Sequence, residues 1–206
     1  MPENIFHNPT LISYIVKSIK ETYPEKQISK TFIQKLFYLL SRKDVVDFDY
    51  SLYHYGPYSS QVSSELNFAE EIDFIVIDWI PEKGYFISPG PMYSSKLLLQ
   101  NTEKTERDAI NEVAQKYGAY NAIELSIITT ALFLKENFGV NDKSNLVEVV
   151  SSLKPQYNKE RISNLLANTL QSWEIKTMAN LLSSAHEDLA VQYGNVFNPD
   201  YTKVHK

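Results

Sequence analysis

A mainly α-helical α+β protein with one small antiparallel sheet is the fold class that this 206-residue sequence predicts. Three observations carry that reading. Apolar residues recur at helical spacing through 10–22, 29–42 and most of the stretch from 102 to 193. Short β-rich runs are confined to 48–55, 74–79 and 84–88. Gly56-Pro57 and the Pro89-Gly90-Pro91 run punctuate the chain between them.

The elements follow in order. Thr10 is a candidate N-cap for a helix to residue 22, with Leu11, Ile12, Ile15, Val16 and Ile19 on one stripe and Pro24 just beyond its end. Ser29 starts a second helix to about Arg42. Phe32, Ile33, Leu36, Phe37 and Leu40 form its buried face, and Lys30 and Lys35 fall elsewhere on its surface. The run Phe48–Tyr55 alternates as a strand does, with Phe48, Tyr50, Leu52 and His54 on one face and Asp49, Ser51, Tyr53 and Tyr55 on the other. Gly56-Pro57 forces a turn, and Ser59 and Ser60 supply capping chemistry for a helix over 60–71. Residues 73–79 and 84–88, joined by IPEK, read as a hairpin. This order gives a winged-helix-like N-terminal half, residues 1–98, with the third helix as reading element and the hairpin as wing. Residues 99–206 read as helical. They comprise a helix from Thr102 or Thr105 to Gly118, one from Asn121 (with Glu124 as its capping-box partner) to Phe138, one from Ser144 to Leu153, and one or two more over 158–193. Both halves have incomplete apolar faces, so the boundary is nominal and one fused unit is expected.

Composition narrows the function classes. Cysteine is absent, which excludes disulfides, thiolate metal sites and thiol nucleophiles, and four scattered histidines do not suggest a metal centre. No metal and no cofactor is expected. The most apolar stretch, Ile123–Leu134, is shorter than the roughly 20 residues a bilayer needs, and MPENIFHNPT lacks a signal peptide's basic and apolar regions. A soluble, cytoplasmic protein without membrane contact is the expectation. The net charge of −5 is unevenly spread: residues 1–43 carry +4, whereas 44–82 hold nine acids and no base. Such a stretch repels phosphate and welcomes a basic protein partner.

Catalytic signatures are missing. Phosphate-loop, dinucleotide, zinc-protease and nucleophile-elbow motifs do not occur. The acid pairs Glu70-Glu71 and Glu187-Asp188 are adjacent on helices, about 100° apart, and cannot converge on one atom. The chain is therefore expected to be no enzyme. Its richest constellation is FDYSLYHYGPYSSQVSSEL (Phe48–Leu66), which holds several tyrosines around a turn. Tyrosine pairs large contact area with one polar handle, which suits interfaces.

Together with IQKLFYLL (Ile33–Leu40), that segment resembles the Panacea domain, the SocA-like antitoxin family, and within it the YwgA-like branch. The matching positions are Lys35, Leu36, Tyr38, Leu39, Tyr53, Tyr55, Gly56, Pro57, Tyr58 and Ser59. The segment KPQYNKERISNLLANTL (Lys154–Leu170) is similar to a Lys-Pro-x-(Phe or Tyr) element of the same branch. The resemblance implies a non-enzymatic, mostly helical domain that neutralises a toxin by direct contact or hands it to a protease. The expected partner-binding residues are Tyr53, His54, Tyr55, Tyr58, Gln61 and Glu65, facing a protein partner of which a basic toxin is one form. The alternative is a winged-helix DNA-binding transcriptional regulator. Its reading helix, however, carries Glu65, Glu70 and Glu71 and no base, so nucleic acid is not the expected partner.

Overall fold

The computed structural model describes residues 4–169 and divides the chain into two units, residues 1–162 and 163–206. Eleven elements lie wholly within the described residues of the first unit. α1 (His7–Thr22), α2 (Lys30–Ser41), β1 (Ser51–Tyr53), β2 (Gly56–Tyr58) and α3 (Ser60–Glu71) come first. They are followed by β3 (Ile75–Ile80), β4 (Gly84–Pro89), α4 (Ser95–Asn101), α5 (Lys104–Tyr117), α6 (Ala122–Phe138) and α7 (Lys143–Leu153). A further helical run begins at 159 and reaches 169. The mainly helical α+β class and the order of helices and hairpin are as the sequence predicts. The residues 170–193 expected to be helical, and the tail after them, lie outside the described residues.

Capping chemistry explains most boundaries. Ser29 accepts a hydrogen bond from Phe32 N and opens α2. Asn121 and Glu124 exchange reciprocal bonds of 2.9 Å at the start of α6, and Gly139, at φ +66°, closes it. Three starts differ from expectation. α1 begins three residues earlier than Thr10, because Pro9 fits the first turn, where its missing N–H costs nothing, and Thr10 instead bonds back to Phe6 O. α7 is capped by Asp142, whose carboxylate accepts from Asn145 N, and so starts before Ser144. The stretch after Pro91 contains α4, capped by Ser94; the nominal boundary at 98 falls inside this helix.

The strands also differ. Two separate two-stranded antiparallel sheets replace the single small sheet: β1 pairs with β2, and β3 with β4. Phe48 and Tyr50 lie outside any strand. Their rings turn inward, Phe48 stacking on Phe37 at 6.3 Å and Tyr50 meeting Tyr38 edge-on at 5.2 Å, and these contacts hold 48–50 as an irregular ledge over α2.

The core sits between α1, α2, α5 and α6. α6 is the central element, buried continuously from Leu125 to Leu134, which is why its sequence is apolar on every side. Its hydroxyls are absorbed within the helix: Thr129 donates to Leu125 O and Thr130 to Ser126 O. α2 packs on α6 and α5, and β2 lies against both α2 and α6. None of the described helices is long and apolar enough to cross a membrane.

Candidate functional site

The tyrosine-rich turn is built on a two-residue loop, His54-Tyr55, between Tyr53 and its partner Gly56. Neither loop residue takes a positive φ; Gly56 supplies it at +84°. Glycine is required there for a second reason. A Cβ on Gly56 would stand 2.7 Å from Thr130 Oγ1 and 3.0 Å from Ser126 O, so the turn's backbone rests directly on α6. Gly56 and Pro57 are buried, whereas Ser51, Tyr53, His54 and Tyr55 are exposed.

Two lysines fasten this turn from beneath. Lys35, on α2 and only 2% exposed, donates to Pro57 O at 2.6 Å. Lys154, just after α7 and 1% exposed, donates to His54 O at 3.1 Å and to Ser126 Oγ at 2.9 Å. Burial pushes Lys35 down from the ordinary lysine range to about 7, and the positive charge of Lys154 adds to the effect. Burial alone brings Lys154 down to about 8. Next to Lys35, the Gln34 amide clamps the start of α3, accepting from Ser59 N at 3.0 Å and donating to Ser59 O at 2.8 Å. Ser59 stands at the N-cap position, yet its hydroxyl makes no capping bond; Gln34 instead fixes the Ser59 backbone from which the helix starts.

Lys35 thus corrects the sequence reading that put it on the helix surface. α2 has buried residues all round its circumference from Phe32 to Leu40, so position 35 has no solvent side to occupy. The Lys-Leu and Lys-Pro segments behind the family resemblance meet here, one lysine from each beneath the same turn.

The six expected partner-binding residues divide into two places. Tyr53 (62% exposed) and Tyr55 (60%) project from the turn, and Tyr53 leans on Tyr58 with ring centroids 5.2 Å apart. Tyr58 is half-buried, its hydroxyl accepting from Ser63 Oγ at 3.0 Å. His54 is exposed and lines, with Leu52, Tyr53, Thr130, Leu153 and Lys154, an open cleft of about 320 Å³. Gln61 and Glu65 instead line a second cleft, of about 690 Å³, between the N-terminus of α1, residues 45–48 and α3. There Gln61 accepts from Asp49 N at 2.8 Å and Glu65 accepts from Asn8 Nδ2 at 3.2 Å, bonds that tie α3 to its neighbours.

Among the described residues, no three histidine, aspartate or glutamate side chains gather as a metal site. α3 exposes Gln61, Ser64, Asn67, Glu70 and Glu71, and no base. No protein-family model matches the chain, and no curated protein matches it.

Proposed function

We propose that this chain is a non-enzymatic protein-interaction module of antitoxin or proteolytic-adaptor type, which docks a basic protein through the Tyr53–Tyr55 turn. One observation carries the reading: two tyrosines are more than half exposed on a backbone that is itself immobilised by Gly56, Lys35 and Lys154. Rigid backbone with exposed aromatic rings lowers the ordering cost of binding and gives large contact area per residue. The nine acids of 44–82, without a compensating base, supply the charge that favours a basic partner. The Panacea resemblance points the same way, since its motifs coincide with the residues that build the turn. Such a module works in the cytoplasm, where a toxin of the same cell must be neutralised.

DNA recognition is disfavoured by the same charges, because a reading helix without lysine or arginine gains nothing from phosphate. The test is co-purification from the native host with the tagged chain and with Tyr53→Ala/Tyr55→Ala as matched bait. The expected result is a basic protein retained by the first and reduced about tenfold or more on the second, the scale of a lost hot spot. Unchanged retention on a folded variant, or specific recovery of duplex DNA, overturns the reading.

A further inference from the structure

Buried cations ordinarily sit beside carboxylates, because an ammonium taken out of water without a counter-charge is costly. Lys35 and Lys154 do not follow that rule. Among the described residues neither joins an ion pair, and their acceptors are two backbone carbonyls and one serine hydroxyl, all neutral. They also repel each other. Lysine offers three N–H donors; the acceptors engage one on Lys35 and two on Lys154.

Lys154 differs from Lys35 in that it lines the 320 Å³ cleft, with 1% of its surface exposed and one N–H donor still unengaged. Leu52, Leu153 and the Tyr53 ring supply apolar wall, while His54 and Thr130 complete the lining. The volume falls at the small end of the range, about 300–1,000 Å³, that holds organic ligands. A cleft of mixed apolar and polar lining that holds one cation without a counter-charge matches an amphipathic anion.

We propose that this cleft binds a small organic carboxylate, its carboxyl group on Lys154 and its apolar body against Leu52, Leu153 and Tyr53. The lowered proton affinity of both lysines agrees with a site that lacks its counter-charge, and a bound carboxylate would raise that of Lys154 again. The carboxyl group has two possible sources, a free aromatic or aliphatic acid or the C-terminus of a bound protein. This site needs no protein partner, so its failure and that of the interaction reading are separable.

The experiment is a side-chain lysine NMR titration of the full chain with benzoate, with N-acetyl-glycyl-phenylalanine, and with the amide of that peptide. The expected result is a saturable shift of the Lys154 signal with the first two probes and none with the amide. A peptide that binds about tenfold or more tightly than benzoate assigns the site to a protein terminus; equal or weaker binding assigns it to a free acid. Lys154→Gln should abolish the response. Because that change also removes the bond that holds the turn at His54 O and the bond to Ser126 Oγ on α6, Leu153→Glu provides a second variant: Leu153 is exposed at the end of α7, and a carboxylate there would occupy Lys154 from within. It should weaken benzoate about tenfold or more while the amide spectrum stays folded. No shift with either acid, or shifts that persist unchanged in Leu153→Glu, overturns the proposal.

Discussion

The first unit contains two antiparallel hairpins that solve the same problem in opposite ways. A two-stranded sheet is marginal in water on its own and must be propped. The short hairpin, β1–β2, has three residue pairs and is propped on its backbone: α6 meets Gly56, and Lys35 and Lys154 take the carbonyls of Pro57 and His54. The longer one, β3–β4, has six pairs and rests on the segment before α2, with Ile87 N donating to Ile28 O and the Gln27 amide donating to Lys83 O and Tyr85 O. Its outer face is held by side chains, the Trp79 and Tyr85 rings meeting edge-on at 4.7 Å and Lys30 lying over Tyr85. The short hairpin therefore keeps its backbone fixed and its tyrosines available. The long one uses its exposed aromatic rings to support itself.

The largest expected effect tests that contrast at the two turn glycines. Both have positive φ, +84° at Gly56 and +88° at Gly84. An alanine at either position bears the left-handed penalty of about 1–2 kcal/mol. At Gly84 the nearest atoms to a new Cβ are 3.9 and 4.0 Å away, so the penalty should stop there. At Gly56 the methyl group also meets Thr130 Oγ1 and the Ser126 carbonyl. Gly56→Ala should therefore cost roughly 3 kcal/mol or more in denaturant unfolding. Thr130→Ala in the same chain should recover part of it, because it removes the closer of the two atoms. Equal losses at the two glycines would show that the short hairpin does not rest on α6.

A smaller effect concerns the lysines. In the folded chain Lys35 holds its proton only up to about pH 7 and Lys154 up to about pH 8, whereas in the unfolded chain both hold theirs to about 10.5. Between those limits the unfolded state carries more protons, so stability rises with pH, by at most about 1.4 kcal/mol per pH unit for each lysine. Tyr38 and Tyr50 act at the other end. Burial raises both above the ordinary tyrosine value of 10.0, so the stability they contribute is lost as pH climbs past it. Maximum stability is expected near pH 10, measured as the denaturant midpoint against pH. Lys35→Met should flatten the rise that begins near pH 7 and leave the Lys154 part intact. A flat profile in the native chain would mean that the short hairpin is not held by buried amines.

The same contrast separates what the sequence disclosed from what it did not. Helical periodicity, the Asn121–Glu124 box and Gly139 are local signals, and α6 lies where they put it. β3–β4 was legible because alternation and a polar turn act within fifteen residues. The short hairpin was read as one long strand, because its stability is not local: Phe48 and Tyr50 are drawn inward by Phe37 and Tyr38, and the strand retains only Ser51–Tyr53. The site suffered most from distance. Lys154 lies 100 residues from His54, and a lysine followed by proline carries no mark of burial. Gln61 and Glu65 are helical as the periodicity predicts, and Gln61 is exposed, but their bonds to Asp49 and Asn8 make both struts between elements.

The smallest effects on stability fall on the exposed rings, and there the contrast bears directly on function. Trp79→Ala removes the edge-on partner of Tyr85, and should cost about 0.5–1.5 kcal/mol of stability, because that ring helps to hold its own hairpin. Tyr55 makes no ring contact and no hydrogen bond among the described residues, and the backbone beneath it is held without its help. Tyr55→Ala should therefore change stability by less than about 0.5 kcal/mol, the usual range for a surface position. Its expected cost lies in binding, about 1–2 kcal/mol lost toward the basic partner. Measuring the denaturant midpoint and partner affinity for both variants gives four values, and a crossed pattern is expected, with Trp79 affecting folding and Tyr55 affecting binding. If Tyr55→Ala lowers stability as much as Trp79→Ala while affinity per folded molecule stays constant, its ring is a prop like the other, and the docking surface has to be sought away from the short hairpin.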